Sequence, residues 1–134
     1  MRLVTSAALG LGLLLLAAAC GGGGSSNTFE LSQGDSGTTL QVAPDDEIVI
    51  SLESNPTTGY SWHEAEKSQN NGILQLLAKS YESESDAIGS GGVETSTYKA
   101  VKAGKAVLEL NYLRPFEPNE IAGKFTVTID VTAS

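Results

Sequence analysis

The amino-acid sequence predicts an all-β fold, namely an immunoglobulin-like antiparallel β-sandwich of seven to eight strands. After residue 28, apolar and polar side chains alternate in short runs rich in β-branched residues, a period typical of half-buried strands. Turn-forming residues separate these runs, as at residues 33–37 and 70–72. No run predicts a helix longer than a turn or two, and seven or eight strands in about 105 residues fit two packed sheets.

Three runs show the alternation most clearly, and they span residues 47–53, 105–112 and 123–132. In the last of them Phe125, Val127, Ile129 and Val131 point inward, because alternate side chains of a strand lie on one face. Weaker alternation predicts further strands at residues 28–33, 38–43, 60–66, 72–81 and 93–101. The alternation of residues 73–77 is imperfect, so a helical turn is the alternative there.

Residues 1–19 have the layout of a secretory signal peptide and lie outside the predicted domain. The single cation Arg2 is followed by an apolar run, and small residues precede Cys20. The apolar stretch over residues 3–19 is 17 residues long. That length is the lower limit for crossing a bilayer, so an uncleaved membrane anchor is the alternative.

Cys20 is the only cysteine, which excludes an intramolecular disulfide, and its position resembles the acylation site of bacterial lipoproteins. Such sites prefer leucine three residues earlier, where this chain has Ala17 preceded by Leu16. Ordinary cleavage after residue 19, leaving a soluble protein, is the alternative. The Gly/Ser tether over residues 20–26 has a reach of about 15 Å. We therefore expect an exported protein, anchored through lipidated Cys20 in the bacterial cell envelope on its periplasmic or cell-surface side.

The remaining residues, 27–134, suit one domain with one core, and we expect a monomer. Removing Arg2 from the 8 basic and 16 acidic side chains leaves 7 basic ones and a net charge of −9. A nucleic-acid-binding domain would present a basic face, so no nucleic-acid partner is predicted.

The residue types also argue against an enzyme or a metal site. His63 is the only histidine, and its position beside Trp62 on a strand indicates a surface or edge residue. Acylated Cys20 would leave no thiol nucleophile, and no Ser–His pairing is evident for a triad. The acidic clusters at residues 45–47 and 82–86 lack the spacing of a Ca²⁺ loop and are expected to be solvated turns. No catalytic residue, cofactor or metal is predicted.

Three connections carry unusual residues. With the principal strands labelled A to G, they are the B–C loop (residues 54–62), the D–E loop (83–92) and the F–G loop (113–120). Successive loops of a Greek-key sandwich alternate between its two ends, so all three emerge at one pole, where a rigid scaffold can present a binding surface.

Each loop has its own composition. In the B–C loop Pro56 stiffens the chain and Gly59 permits a positive φ, although an ordinary turn with Tyr60 and Trp62 in the core is the alternative. For Trp62 the core position is the one expected. The glycines of the D–E loop permit close backbone approach to a partner or simply provide slack. The F–G loop sets Arg114 beside Phe116 between two prolines, a pair of types enriched at binding hot spots.

Taken together, the three loops resemble the signature loops of chagasin-like inhibitors of papain-family cysteine peptidases. The matching residues are Asn55, Pro56, Thr57, Thr58, Gly59 and Tyr60, then Gly89, Ser90, Gly91 and Gly92, then Arg114, Pro115 and Phe116. Family members generally have tryptophan where this chain has Phe116.

The resemblance implies a reversible, tight-binding inhibitor whose three loops form a wedge in the peptidase cleft. Residues 56–59 would lie over the catalytic cysteine, the glycine loop would pair with one wall, and residues 114–116 would pack on the other. The alternative from another functional class is an immunoglobulin-like envelope adhesion or binding module with a non-peptidase partner.

Overall fold

Eight strands in two four-stranded sheets build the protein, and the computed structural model describes residues 26–133. The strands are β1 (Thr28–Leu31), β2 (Thr38–Val42), β3 (Glu47–Ser54), β4 (Ser61–Glu64), β5 (Leu74–Ser83), β6 (Gly92–Ala100), β7 (Gly104–Leu113) and β8 (Gly123–Val131). One sheet has the order β1-β3-β6-β5 and the other β2-β8-β7-β4. The predicted all-β sandwich of seven to eight strands is confirmed. The B–C, D–E and F–G loops are the β3–β4, β5–β6 and β7–β8 connections.

The core lies between the two sheets and is built from the alternating apolar positions of the strands. Phe125, Val127 and Ile129 of β8 are completely buried, as the alternation predicts. Full burial of such a side chain contributes about 1.5–3 kcal/mol. Trp62 is also a core residue, as expected, with 5% of its surface exposed. Its indole Nε1 donates a hydrogen bond to the carbonyl oxygen of Glu53 at 3.0 Å, so burial leaves no polar group unpaired.

Two strand pairs depart from the antiparallel arrangement. Strand β1 pairs with β3 in parallel, and β2 pairs with β8 in parallel. The chain passes from one sheet to the other between β1 and β2, through a short 3₁₀ turn at Gln33–Asp35. The alternation of apolar residues marks each strand but carries no information on the direction of its neighbour, so this feature was not predicted.

The imperfect alternation of residues 73–77 has a structural cause. The register of β5 against β6 shifts between Leu76 and Ala78, which marks a β-bulge at Leu77. An extra residue in one strand breaks the period of two. The segment is therefore a strand and not the alternative helical turn.

Asp46 corrects one prediction. The sequence places it in a solvated turn, yet it is buried, and its carboxylate accepts hydrogen bonds from the backbone N–H groups of Asn27 and Ala43, both at 2.9 Å. An acidic side chain that satisfies buried backbone donors has a structural role. Within residues 26–133, no group of three or more His, Cys, Asp or Glu side chains is arranged to hold a metal ion.

The predicted signal peptide, Cys20 and most of the tether lie outside the described residues. Among those that are described, no helix has the length and apolar character needed to cross a membrane.

Candidate functional site

The B–C loop is stiffened by hydrogen bonds within itself. Its first turn is a 3₁₀ turn at Pro56–Thr58 that begins with the fixed φ of proline and ends at Gly59, whose φ is +88°. The side-chain oxygen of Asn55 accepts a hydrogen bond from the backbone N–H of Thr57 at 3.3 Å. The hydroxyl of Thr58 donates to the carbonyl oxygen of Asn55 at 2.6 Å. The exposed tip is uncharged and holds its shape with few freely rotating bonds.

The B–C loop contacts the D–E loop through Asn55. Its side-chain Nδ2 donates a hydrogen bond to the carbonyl oxygen of Gly89 at 3.1 Å. Its backbone N–H donates to the hydroxyl of Tyr112 at 2.8 Å, which fixes the loop to the adjacent sheet. Asn55 thus makes three contacts: its side-chain oxygen caps the turn, its side-chain amide donates to the D–E loop, and its backbone N–H donates to Tyr112.

The B–C loop contacts the F–G loop through Gly59 and Tyr60. A Cβ added at Gly59 would lie 3.2 Å from Cδ of Arg114 and 3.4 Å from Cε1 of Phe116, so glycine permits this approach. The Arg114 guanidinium carbon lies 4.6 Å from the centre of the Tyr60 ring and 5.5 Å from that of Phe116, both within range of a cation–π interaction.

An aromatic column connects these loops to the core. The Tyr60 ring stacks on Tyr112 with a centroid distance of 5.2 Å, and the Trp62 ring is tilted against Tyr112 with a centroid distance of 5.0 Å. Offset or tilted ring pairs at this distance are attractive beyond their area burial. Tyr60 is half-buried between Tyr112 and Arg114, and its ring supports the Arg114 guanidinium.

The F–G loop is held by a tight turn that leaves Phe116 in solvent. The Glu117 N–H donates to the carbonyl oxygen of Arg114 at 2.8 Å, and Arg114 Nη2 lies 2.6 Å from Glu117 Oε1. Pro115 is exposed, and 72% of the Phe116 surface is accessible. An exposed aromatic ring on an ordered turn is a pre-positioned contact surface.

The D–E loop uses its glycines in two different ways. Gly89 has a φ of +82° and open space around it. Gly91 lies against the B–C loop, where an added Cβ would be 3.4 Å from the Ser54 carbonyl oxygen. Gly92 is buried, and a Cβ there would lie 2.1 Å from the carbonyl oxygen of Glu82. Gly92 thus serves hairpin packing, while Gly89, half-buried Ser90 and Gly91 form the side of the loop next to Asn55.

Ile88 belongs to this surface but was not singled out from the sequence. Its side chain is fully exposed beside Gly89, and exposing an apolar side chain of this size to water is unfavourable unless a partner covers it. The signal was present as a lone aliphatic residue between an acidic, serine-rich segment and the glycines. Buried Gly92 is not part of the exposed site, whereas the other predicted residues and Ile88 belong to three loops that lie at one end of the sandwich and contact one another through the B–C loop.

One Ser–His contact is present that was not predicted from the sequence. Ser61 Oγ lies 2.8 Å from His63 Nε2, because residues two apart on a strand share a face. No carboxylate of the described residues hydrogen-bonds to the ring of His63 to complete a triad. The pair therefore stabilises the half-buried outer face of β4.

The chain is similar in sequence to known peptidase inhibitors. Residues 41–131, which include all three loops, match the family described as Chagasin family peptidase inhibitor I42. Chagasin from Trypanosoma cruzi is 31% identical over 102 residues, which covers 73% of this chain and 93% of chagasin.

Solved structures share the sandwich. The crystal structure of the cysteine protease inhibitor EhICP2 from Entamoeba histolytica aligns with a TM-score of 0.72 at 24% identity, covering 82% of this chain and 100% of that chain. The structure of PbICP-C in complex with falcipain-2 aligns with a TM-score of 0.50 at 23% identity, covering 84% and 95% of the two chains. At these identities the similarity indicates a common fold.

Proposed function

The chain belongs to the chagasin family of peptidase inhibitors, and we propose that it inhibits papain-like cysteine peptidases reversibly by inserting its three loops into the active-site cleft. Members of this family are inhibitors, so the chain is assigned a binding function and no catalysis. The site residues of the wedge are those of the three loops, and the target class comes from the family.

The observation that carries this proposal is the contact of all three loops at one pole. The B–C loop lies in the middle, with Asn55 bonded to Gly89 on one side and Gly59 against Phe116 on the other. Loops that already contact one another lose little conformational entropy when they dock, which favours tight binding. A cleft between two walls is complementary to such a narrow, three-part projection.

The wedge assigns a separate task to each loop. The exposed, uncharged turn at Pro56–Thr58 would lie over the catalytic cysteine. Gly89 and Ser90 would pair their backbone with one wall, with Ile88 supplying apolar contact there. Arg114 and Phe116 would pack on the other wall.

The local geometry of the B–C loop explains why such a complex would be inhibitory. A substrate must lie extended along the cleft, whereas the Pro56–Thr58 turn is closed by the hydrogen bond from the Gly59 N–H to the Pro56 carbonyl oxygen at 2.9 Å. A closed turn cannot present a scissile bond in the extended conformation. The peptidase is blocked and the loop stays intact.

We further propose that the inhibitor is exported and anchored through lipidated Cys20. The signal-peptide layout and the lone cysteine support this proposal, and stable anchoring requires more than one acyl chain, as lipoprotein acylation provides. A tether of about 15 Å would keep the domain near the membrane while it reorients. The inhibitor would then act on peptidases that reach the cell envelope.

A titration tests the inhibitory function. Residues 27–134 are added to several papain-like peptidases with a fluorogenic substrate, and a serine peptidase serves as the control. We expect stoichiometric inhibition of at least one papain-like enzyme and none of the serine enzyme. No effect at micromolar concentration on any papain-like enzyme would contradict the proposal and favour the adhesion or binding module.

A further inference from the structure

An ion pair between buried Glu94 and partly exposed Lys79 lies directly beneath the B–C loop, outside the residues of the wedge. Glu94 of β6 has 6% of its surface exposed and faces the space between the sheets. Its Oε2 lies 3.0 Å from Nζ of Lys79 on β5. Sequence alternation marks Glu94 only as a strand residue, so its role has to be read from its contacts.

Glu94 bonds both ends of the B–C loop. Its Oε1 accepts a hydrogen bond from the hydroxyl of Ser54 at 3.1 Å and another from the backbone N–H of Trp62 at 3.3 Å. Ser54 is the last residue of β3 in one sheet, and Trp62 lies in β4 of the other sheet. One oxygen atom therefore joins the two points at which the loop leaves and re-enters the sandwich.

Lys79 completes the connection on the other side of Trp62. Its Nζ donates a hydrogen bond to the Trp62 carbonyl oxygen, in addition to its pairing with Glu94. Strand β4 is at the edge of its sheet, with β7 as its only strand neighbour among residues 26–133. An edge strand leaves backbone groups unpaired, and the two side chains bond those of Trp62 as a neighbouring strand would.

Overall stability is a poor explanation for this arrangement. Burial of the Glu94 carboxylate costs desolvation, while the Lys79 side chain stays 41% exposed and its charge is screened by solvent, so the pair contributes little net stability. What the pair supplies is a fixed separation between β6 and the start of β4. The width of the B–C loop at its base depends on that separation.

We infer that Glu94, with Lys79, is a positioning residue for the inhibition proposed above: it fixes the base of the B–C loop and thereby the place of its tip between the two other loops. This inference rests on the proposed function. Glu94 is buried and would touch no peptidase. Its effect would be transmitted through Ser54 and Trp62.

The experiment compares six versions of residues 27–134: wild type, Glu94→Gln, Ser54→Ala, Val127→Ala, Thr57→Ala, and the double variant of Glu94→Gln with Thr57→Ala. Glu94→Gln keeps the volume and one acceptor oxygen but removes the charge, and Ser54→Ala removes one hydrogen bond and leaves the ion pair. Val127→Ala creates a cavity in the core of β8 and is the control for a general loss of stability. Thermal midpoints and inhibition constants for one papain-like peptidase are measured for each.

We expect Glu94→Gln to raise the inhibition constant at least tenfold and Ser54→Ala to raise it threefold or more, while Val127→Ala inhibits like wild type despite a lower midpoint. The double variant of Glu94→Gln with Thr57→Ala should raise the inhibition constant by less than the product of the two single-variant increases, because both substitutions act through the B–C loop. Inhibition by Glu94→Gln within threefold of wild type, or an equal loss in Val127→Ala, would overturn the inference.

A second readout separates this inference from the proposed function. Backbone amide spectra of Glu94→Gln should change at Asn55, Thr57 and Gly59 while those of the 101–104 connection at the opposite pole stay as in wild type. If wild type inhibits nothing, the proposed function fails, and the spectra still decide on the positioning. Unchanged B–C loop amides would overturn it in either case.

Discussion

Among single residues, Gly59 determines how closely the B–C and F–G loops approach each other. Its φ of +88° lies in the left-handed region, where a side chain is strained. A Cβ would also lie 3.2 Å from Arg114, which is tighter than ordinary van der Waals contact, and 3.4 Å from Phe116, which is at its lower limit. Glycine is thus favoured by the backbone conformation, and any side chain here would also force Arg114 to shift by a few tenths of an ångström.

We expect Gly59→Ala to weaken inhibition at least tenfold because it displaces the F–G loop and destabilises the protein by about 1–2 kcal/mol through backbone strain. Inhibition constants and chemical unfolding measure the two effects. Gly37→Ala is the matched control, since Gly37 has nearly the same φ, +89°, but has no neighbour within 4 Å of an added Cβ. The control should lose stability and keep inhibition; an equal loss of inhibition in both variants would refute the loop-contact explanation.

Phe116 is the most exposed aromatic side chain of the wedge and the position at which the chain departs from the family pattern. Its ring is 72% accessible and offers an aromatic face without an indole N–H. Exposed aromatic anchors on ordered turns are the residues whose truncation costs most in protein interfaces.

Phe116→Ala is expected to weaken binding by about 2 kcal/mol, roughly a thirtyfold rise in the inhibition constant. Val101→Ala is the control, because Val101 is an exposed apolar residue (42%) in the β6–β7 connection at the other end of the sandwich. A loss below tenfold for Phe116→Ala would argue against an anchor role for this residue.

At the scale of elements, a second polar contact joins β6 to β4, in addition to the hydrogen bond between Trp62 and Glu94. Tyr98 of β6 is buried, and its hydroxyl lies 3.4 Å from Glu64 Oε1 at the end of β4. Burial, and secondarily the charge of Glu64 and the hydrogen bond to it, raise the pKa of Tyr98 well above its ordinary value of 10.0. The folded state therefore keeps this hydroxyl protonated where the unfolded chain ionises it.

Because the folded-state pKa is the higher one, the stabilisation by neutral Tyr98 is complete below pH 10 and is lost as the pH rises from there towards the folded-state pKa. We predict that the unfolding free energy of wild type falls more steeply above pH 10 than that of Tyr98→Phe. Denaturant unfolding between pH 8 and pH 11 measures this. Parallel pH profiles for the two proteins would contradict the prediction.

The strands and their loops could be predicted because the signals are local. Alternation located all eight strands to within about two residues, and the Greek-key order of the loops predicted that three of them share a pole. The contacts that join the loops could not be predicted. Asn55–Gly89 and Gly59–Arg114 depend on how two sheets pack, and residues 34 or 55 apart in sequence carry no mark of that packing.

The same limit explains the errors. Asp46 appeared to be solvated because nothing in the sequence shows that Asn27 lies against it. The Ser61–His63 contact was not predicted, although residues two apart on a strand lie on the same face. The roles proposed for Glu94 and Ile88 depend on the burial of one and the exposure of the other, which the sequence does not show.

At the scale of the whole molecule, the proposed lipid anchor is a property of residue 20 and not of the sandwich. Replacing Cys20 by serine removes the acylation site and leaves the domain unchanged. We expect wild type in the membrane fraction of a bacterial host and Cys20→Ser in the soluble envelope or medium fraction, with equal inhibition by both. Membrane association of Cys20→Ser would contradict lipid anchoring and favour the uncleaved membrane anchor.

The sandwich acts as a rigid support for the three loops. Strands from both sheets lead into the B–C loop, and the aromatic column, the Tyr112 hydroxyl and the Lys79–Glu94 pair fix it from below. We propose that this pole, and no other surface of the domain, closes the cleft of a papain-like peptidase.

Amide hydrogen exchange on the complex with a papain-like peptidase tests that claim most directly. Slowed exchange is predicted at residues 55–60, 88–91 and 114–116, with exchange at residues 101–104 of the opposite pole unchanged. Protection of the opposite pole or of β5, with the three loops exchanging as in the free protein, would contradict the three-loop wedge.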